Sequence, residues 1–539
     1  MAATHPRSPS RGDASAPVRA RAYGGSFRAR VLLVDPYVRR EDPMERKRDE
    51  QYPSLGLLSV AAYLRQEGHE VKIVDLTFER GIEPVRRALR SFSPALLGVH
   101  TKTLTFPRAL ALARLARSHA TFSIAGGPDA SSRPLAYLQG GFDAVGTGEG
   151  ETTILDVAAA VNDSRSLFGI PGVAFLQEGA MVRGPPRPLV RDLDQLPLPA
   201  WDLVDMESYL SRWQRSTGSR RMAVLTSRGC PFDCSWCSKP TFGRTYRQRS
   251  VENVLRELRL LQQRYGVDYV RVCDDVFGIQ RSWTEKFLDG MVAADLGMRF
   301  ECLSRVDLLK PQLLPKMAEA GLHRVFLGVE SGSQKMLDAM NRGTRLSQIE
   351  RCASALRAHG VQQYWFLMLG YPEETLDDIE RTLQLFRRFS PEEYSISIAV
   401  PLPGTRFEST VRERKPPAGR EDGGLLYEGV YPVSVYRWQK ARFRWSKLLR
   451  DHAELFVPEV TEALERAGDE VGRRVVERIV LPAGLSPPPQ RGRARSRRKL
   501  RPMVLEVRAR AHARIHELRD EIAPELLRRF QDRIPGRTR

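Results

Sequence analysis

Cys230-Pro-Phe-Asp-Cys234-Ser-Trp-Cys237 follows shortly after the apolar run Met222-Ala-Val-Leu-Thr226 and places three thiols on one short loop. Three thiolates so close together can hold three irons of a four-iron cluster and leave the fourth iron open. A closed structural zinc site needs four ligands, and no second cysteine pair or nearby histidine completes this loop. A disulfide would leave an odd thiol, and the six cysteines of the chain lack the spacing of a disulfide framework. The loop therefore predicts an iron–sulfur site that can bind a further ligand.

A series of strand and helix patterns surrounds this loop and predicts a barrel. Six apolar runs read as strands, and helical patterns separate them. Six consecutive strand–helix units predict a partial (β/α)6 TIM-type barrel whose active site lies at the C-terminal strand ends. The predicted strands are 222–226, 269–273, 299–303, 325–329, 364–369 and 394–400, and the helices include 251–265, 283–294, 346–359 and 376–389.

Polar segments follow the other strands of this series. Singly, each is also compatible with a helix cap or a turn. Together they would meet at one mouth of the barrel, which favours a binding site there. The segments are Asp274-Asp275, Arg305 with Asp307, Glu330-Ser-Gly-Ser333, Gly370-Tyr-Pro-Glu-Glu374 and Pro403-Gly404.

The N-terminal part of the chain predicts a different α/β unit. Strand patterns at 30–35, 70–75, 95–99, 121–125 and 143–145 alternate with helices, which is typical of a doubly wound, flavodoxin-like parallel sheet. Short turns follow three of these strands, at 100–103, 126–129 and 146–150, and the last two are rich in glycine. Such turns let a bulky ligand approach the backbone, although tight strand-to-helix turns need glycine as well. No G-x-G-x-x-G follows the first strand, so a dinucleotide is not expected.

We predict six segments from these patterns. They are a basic leader at 1–28, the doubly wound domain at 29–164, a hairpin and Pro-rich linker at 165–214, the barrel at 215–410, a mostly helical C-terminal region at 411–485 and a basic tail with a final helix at 486–539. In the C-terminal region Tyr427, Tyr431, Tyr436 and Trp438 are candidates for lining a pocket or for packing.

The charge of the chain lies mostly in its two ends. The 539 residues carry a formal charge of +20, with six Arg against one Asp in residues 1–30 and sixteen Lys or Arg against six acids in residues 481–539. Basic tails of this kind argue against a nucleic-acid ligand for the folded body. The leader is compatible with either a disordered extension or a transit peptide. No apolar stretch approaches the roughly 18 residues that span a bilayer, so we expect a cytoplasmic protein.

The motif Cys230-x-x-x-Cys234-x-x-Cys237, after the first strand of a six-unit barrel, resembles the signature of radical S-adenosylmethionine (radical SAM) enzymes. In that family SAM chelates the open iron of a [4Fe-4S] cluster, and its reductive cleavage produces a radical that abstracts hydrogen from the substrate. Glu373 departs from the family pattern, since a second glycine is common there, and Trp236 is also compatible with a core position. The residues that the resemblance places near SAM are Trp236, Asp274, Asp275, Arg305, Glu330, Ser331, Gly370, Pro372 and Glu373.

The N-terminal domain is similar to the cobalamin-binding domains that precede many radical SAM barrels. The motif Asp-x-His-x-x-Gly, which supplies a lower cobalt ligand in other cobalamin proteins, is missing, so the resemblance implies cobalamin without a protein histidine ligand. The residues implied in cobalamin binding are Leu55, Gly56, Thr101, Gly126, Gly127, Gly146, Gly148 and Glu149.

Three functions are compatible with these features. The first is a cobalamin-dependent methyltransferase that acts on an unactivated carbon of a small-molecule intermediate, with a flavodoxin or ferredoxin as electron donor. The second is a radical cyclase, rearranging or oxidising enzyme resembling the anaerobic magnesium protoporphyrin monomethyl ester cyclase. The third is a non-catalytic electron-transfer module, which would need a fourth cysteine such as Cys273 or Cys302.

Overall fold

The computed structural model describes residues 28–42, 45, 50–239, 241–399, 401–402 and 404–413. The predicted leader before residue 28, the C-terminal aromatic residues and the basic tail lie outside these residues. The strands follow the predicted positions closely in both domains.

The N-terminal domain is built on a seven-stranded sheet in the order β2-β1-β3-β4-β5-β6-β7. The first five strands are parallel, as expected for a doubly wound sheet, and helices cover the two faces. The strands are β1 (Arg30–Asp35), β2 (Glu70–Asp75), β3 (Leu96–His100), β4 (Phe122–Gly126), β5 (Ala144–Gly146), β6 (Val173–Gln177) and β7 (Ala180–Arg183). The helices are α1 (Leu55–Gln66), α2 (Glu83–Phe92), α3 (Phe106–Ser118), α4 (Pro128–Ser132), α5 (Pro134–Gln139) and α6 (Glu151–Asn162).

The hairpin that the sequence places in the linker belongs to this first sheet. Strand β6 pairs antiparallel with β5, and β7 extends the edge. The sheet therefore runs to Arg183, and the Pro-rich connector leads from there to helix α7 (Met206–Thr217).

The second domain is a six-stranded parallel sheet in the order β15-β14-β13-β12-β11-β8, which is the architecture of a partial barrel. A short antiparallel pair, β9 with β10, flanks it. The strands are β8 (Arg221–Val224), β9 (Ser227–Arg228), β10 (Arg247–Gln248), β11 (Tyr269–Val272), β12 (Arg299–Ser304), β13 (Leu322–Glu330), β14 (Gln362–Leu369) and β15 (Glu393–Ile398). The helices are α8 (Val251–Tyr265), α9 (Arg281–Ala294), α10 (Leu314–Glu319), α11 (Gln334–Ala339), α12 (Leu346–Ala358), α13 (Leu376–Phe389) and α14 (Arg406–Glu413).

Local sequence explains where the barrel helices begin and end. The Ser250 hydroxyl accepts a hydrogen bond from the Asn253 amide at the start of α8, and Gly266 ends that helix with a φ of 66°. Thr375 and Asp378 form a capping box at the start of α13. Alternate residues of the strands, such as Val270 on β11, are buried against these helices. The other set of alternate residues faces the interior of the barrel.

Candidate active site

The cysteine loop lies at the C-terminal end of β8, where a partial barrel places its ligands. Cys230 and Cys234 are buried, Cys237 is partly exposed, and all three thiols are free. The three cysteines lie within eight residues of one another on this loop. No three His, Cys, Asp or Glu side chains in the described ranges form a ready-made ligand set. The loop has neither helix nor strand of its own.

Burial keeps the thiols of Cys230 and Cys237 protonated at neutral pH. It raises the pKa of Cys230 and raises that of Cys237 to about 11, while the nearby Lys239 opposes the effect in both cases. The Lys239 ammonium also donates to the carbonyls of Cys230, at 3.0 Å, and Phe232. Because a metal binds the thiolate form, iron binding would release protons from this loop.

Two arginines approach the sulfur of Cys234. The Arg342 Nη1 atom lies 3.5 Å from this sulfur and the Arg305 Nη1 atom lies 3.9 Å from it. Arg305 also stacks over the Phe232 ring and pairs with Asp307 at 2.9 Å. Both guanidinium groups would place positive charge and N–H donors beside a cluster ligand.

Close packing at the end of β13 holds Arg342 in this place. Its Nη2 atom donates to the Gly328 carbonyl at 2.8 Å, and a Cβ atom at Gly328 would lie only 2.3 Å from that nitrogen. Glu330 lies 3.9 Å from Arg342, and burial raises the pKa of its carboxyl to about 7 although Arg342 opposes the shift. The end of this strand therefore combines a buried acid with a guanidinium group next to the cysteine loop.

The other residues predicted near SAM lie around the same mouth, and several have structural partners. Asp274 accepts hydrogen bonds from the backbone and hydroxyl groups of Thr226 and Ser227, and burial raises its pKa to about 6. The neighbouring Asp275 is exposed. These contacts show that Asp274 fixes the segment leading into the cysteine loop.

The segments after β13 and β14 are also held by internal bonds. The Ser331 hydroxyl lies 3.1 Å from that of Thr382, and the Gly370 amide donates to the Glu374 carboxylate at 2.5 Å. Pro372 is buried and Glu373 is exposed, with a φ of 69° at Glu373. Trp236 packs against an apolar cluster, although its indole nitrogen is buried without a hydrogen-bond partner in the described part of the chain. The roles of these residues toward SAM stay predictions.

A cleft that is open to solvent lies between the N-terminal sheet and the barrel. Its lining is mostly apolar and comes from both domains. Seven of the eight residues predicted to bind cobalamin line it: Leu55, Gly56, Gly126, Gly127, Gly146, Gly148 and Glu149. Leu225, Arg228, Phe242 and Cys273 line it from the barrel side. The cleft thus joins the glycine turns of the first domain to the C-terminal strand ends of the second.

Thr101 and Glu149 have structural partners that the sequence did not indicate. Thr101 is fully buried, and its hydroxyl donates to the Gly126 carbonyl, so it shapes the turn rather than lining the cleft. The Glu149 carboxylate pairs with Arg228 at 2.8 Å and with Arg247 at 2.9 Å. Glu149 therefore forms ion pairs with two arginines of the barrel domain.

Sequence reasoning missed Arg228, Arg247 and Arg342. Arg228 lies two positions before Cys230, and Arg247 belongs to a strand of two residues, so neither stands out as a motif. Arg342 follows a short helix and lies far in sequence from Cys234. No local pattern identifies an arginine whose partners come from a distant part of the chain.

Comparisons with known proteins agree with this geometry. Residues 224–386 match the family model of the radical SAM superfamily, and residues 43–158 match that of the B12-binding domain. The chain is 30% identical over 384 residues to an uncharacterized methyltransferase, PH0819, of Pyrococcus horikoshii. The aligned region covers 70% of this chain and 82% of that protein. It is 28% identical over 365 residues to the anaerobic magnesium-protoporphyrin IX monomethyl ester cyclase of Rubrivivax gelatinosus, with 65% of each chain covered.

The fold is also that of a solved structure. OxsB, a cobalamin-dependent SAM radical enzyme with aqua-cobalamin and SAM bound, superimposes with a TM-score of 0.68 at 17% identity, covering 94% of this chain and 81% of that one. This chain belongs to the radical SAM superfamily, in the group with an N-terminal B12-binding domain. Its cofactors are a [4Fe-4S] cluster, SAM and cobalamin. No helix in the described ranges is long and apolar enough to cross a membrane.

The residues present fit these groups. Three free thiols lie close together on one loop, two arginines flank one of the sulfurs, and a wide apolar cleft with a glycine-rich wall opens beside them. The fourth cysteine that an electron-transfer module would need is not at the loop. Cys302 lies in the core of the barrel wall, and Cys273 lines the cleft on another strand.

Proposed function

We propose that this chain is a cobalamin-dependent radical SAM methyltransferase that adds a methyl group to an unactivated carbon of a small-molecule biosynthetic intermediate. The observation that supports this most directly is the shared cleft, because one cavity is lined by glycine turns of the B12-binding domain and by the C-terminal strand ends of the barrel. A substrate at this junction would lie between the two cofactor sites.

The proposal assigns distinct tasks to the chain's own residues. Cys230, Cys234 and Cys237 would hold the cluster, while Arg342 and Glu330 would lie beside SAM. When bound, the cofactors supply hydrogen abstraction and a methyl donor. The protein would orient them, and a substrate that fills the apolar cleft would displace water from the reacting carbon.

Product analysis tests the proposal. The full chain is reconstituted anaerobically with iron, sulfide and cobalamin, and then reduced in the presence of SAM. A methyltransferase yields both S-adenosylhomocysteine and 5′-deoxyadenosine, and a Cys234→Ser variant should yield no 5′-deoxyadenosine. If the wild-type protein forms neither product, the proposal is wrong.

A radical cyclase is the second candidate, and the similarity to the Rubrivivax gelatinosus cyclase supports it. Such an enzyme would form 5′-deoxyadenosine without S-adenosylhomocysteine, so the same experiment separates the two functions.

We also propose a cytoplasmic setting with a flavodoxin or ferredoxin as electron donor. All six cysteines are free, which suits a reducing compartment. Reduction of the wild-type cluster by a purified flavodoxin, followed by absorbance, tests the donor. A cluster that stays oxidised with both flavodoxin and ferredoxin would exclude it.

A further inference from the structure

Charged and aromatic side chains line the barrel interior on the N-terminal side of the cleft. Arg271 on β11 is in register with Glu301 on β12, which is in register with Arg324 on β13. One step closer to the C-terminal ends, Phe326 is in register with Tyr364. These side chains alternate with residues buried against the outer helices, so they face the interior. Cys273, two residues beyond Arg271 on the same side of its strand, lines the cleft.

An aromatic wall forms one side of this interior. The ring centroids of Phe326 and Tyr364 are 4.9 Å apart, and those of Tyr364 and Phe366 are 5.1 Å apart. Tyr364 and Phe366 are partly exposed, so a ligand can reach their rings. The Arg271 guanidinium lies 4.2 Å from the Phe326 centroid, at the lower end of the wall.

Arginine side chains outnumber carboxylates at this level of the barrel. Glu301 is 3% exposed and is shared by Arg221, at 4.0 Å, and Arg271, at 3.5 Å. The Tyr269 hydroxyl donates to the same carboxylate at 2.9 Å. Arg324 pairs instead with Glu393 at 2.8 Å. Two guanidinium groups therefore share one carboxylate.

Arg271 is the more accessible of the two arginines. Its side chain is 34% exposed, against 10% for Arg221. Its 3.5 Å separation from Glu301 exceeds the length of an ordinary hydrogen bond, so this contact leaves donor capacity for a ligand. Burial and the charges of Arg299, Arg324 and Arg221 together lower the pKa of the nearby His323 to about 4. The electrostatic potential here thus favours an anion.

Tyr52 adds a second polar group to this region. Its ring stacks on Trp213 with centroids 4.9 Å apart, and its hydroxyl is buried without a hydrogen-bond partner among the residues that the structure describes. The Arg221 guanidinium lies 5.3 Å from the centroid of the same Trp213 ring and 4.0 Å from Glu301, which places Tyr52 next to this charged group. A buried hydroxyl that lacks a partner is costly, and a ligand oxygen would remove that cost.

We propose that Arg271 binds an anionic group, a carboxylate or a phosphate, on a substrate whose flat apolar body lies against Phe326, Tyr364 and Phe366. This rests on the proposed function, because it names the substrate class for the same site. The anionic group would lie on the Arg271 side of the interior, and the rest of the substrate would extend past Cys273 into the cleft. The Tyr52 hydroxyl would donate a second hydrogen bond to the anion.

Isosteric probes test this substrate class without requiring turnover. Calorimetry would measure the binding of 2-naphthoate, 2-naphthyl phosphate and the neutral 2-naphthamide to the reconstituted full chain. We expect at least one anion to bind more tightly than the amide, and Arg271→Gln to weaken that anion about 10- to 100-fold, since hydrogen bonds to charged groups contribute about 1.5–3 kcal/mol. Tighter binding of the phosphate than of the carboxylate would indicate a phosphoryl group in the substrate.

Two variants control for folding and position. Arg271→Lys keeps the charge and should retain part of the affinity, while Arg259→Gln, on the exposed side of α8, should change nothing. Amide binding that survives in Arg271→Gln shows that the variant is folded. The proposal is overturned if anions bind no better than the amide, if no anion binds, or if Arg271→Gln leaves anion affinity unchanged. A protein that forms both SAM-derived products yet fails this test would refute only the substrate class.

Discussion

Replacing Arg228 by methionine should weaken the junction between the two domains. The Arg228 guanidinium donates to Glu149 at 2.8 Å and to Glu151 at 2.6 Å, and all three side chains are at least nine-tenths buried. Burial by itself would raise the pKa of Glu151, but the charge and hydrogen bond of Arg228 outweigh it and lower that pKa. Glu149 keeps Arg247 in the variant, whereas Glu151 loses its only ion pair in the described ranges. Removing one partner of a buried pair costs about 3–5 kcal/mol.

Urea unfolding of the full chain, followed by circular dichroism, measures this loss. The double variant Arg228→Met with Glu151→Gln should recover at least about 1 kcal/mol, because it leaves no uncompensated charge at Glu151. Arg65→Met is the matched control, since its pair with Asp202 is 2.7 Å long but exposed, and exposed pairs contribute at most about 1 kcal/mol. Equal losses in Arg228→Met and Arg65→Met would contradict this prediction, as would strictly additive effects in the double variant.

Three further predictions concern the cluster, the cleft and the loop. Arg342→Gln should shift the reduction potential of the cluster by about 60 mV to more negative values. The reason is that the Arg342 N–H donor, 3.5 Å from the Cys234 sulfur, favours the reduced state. A redox titration monitored by electron paramagnetic resonance measures this shift. Burial lowers the pKa of His100 to about 4, so below about pH 6.5 the unfolded chain binds a proton that the folded chain does not. The wild type should therefore lose up to about 3 kcal/mol of stability as pH falls from about 6.5 toward 4. His100→Gln should lose less, as measured by urea unfolding at each pH. Gly229→Ala should lower both the melting temperature and the iron content, because a Cβ there would lie 2.2 Å from the Thr245 carbonyl oxygen.

Each of these has a matched comparison. Arg256→Gln, an exposed change on α8, should leave the potential unaltered. His359→Gln, also exposed, should follow the wild-type pH dependence. Gly243→Ala changes a glycine with a φ of 67° but no neighbour within 4 Å, so it should cost only about 1 kcal/mol and leave the iron content intact. A potential that does not move, a pH dependence shared by His100→Gln and the wild type, or equal iron loss in both glycine variants would contradict the respective prediction.

The strand and helix order of both domains could be predicted because it depends on local patterns. Buried parallel strands such as Arg30–Asp35 are continuous apolar runs, and the residues that begin and end α8 are adjacent to it in sequence. The cysteine loop could also be predicted from sequence, since its three candidate ligands lie within eight residues. The fold class, the cluster motif and the glycine turns of the cleft could therefore be predicted from local sequence alone.

Which distant side chains meet could be seen only in the folded chain. Glu149 was expected at cobalamin and pairs with Arg228 and Arg247, because the folded domains bring together charges that lie far apart in the chain. Arg342 reaches Cys234 across more than a hundred residues. The barrel register places Arg271 beside Glu301. Such contacts depend on how strands and domains pack, and a one-dimensional pattern of hydrophobicity or spacing carries no information about that packing.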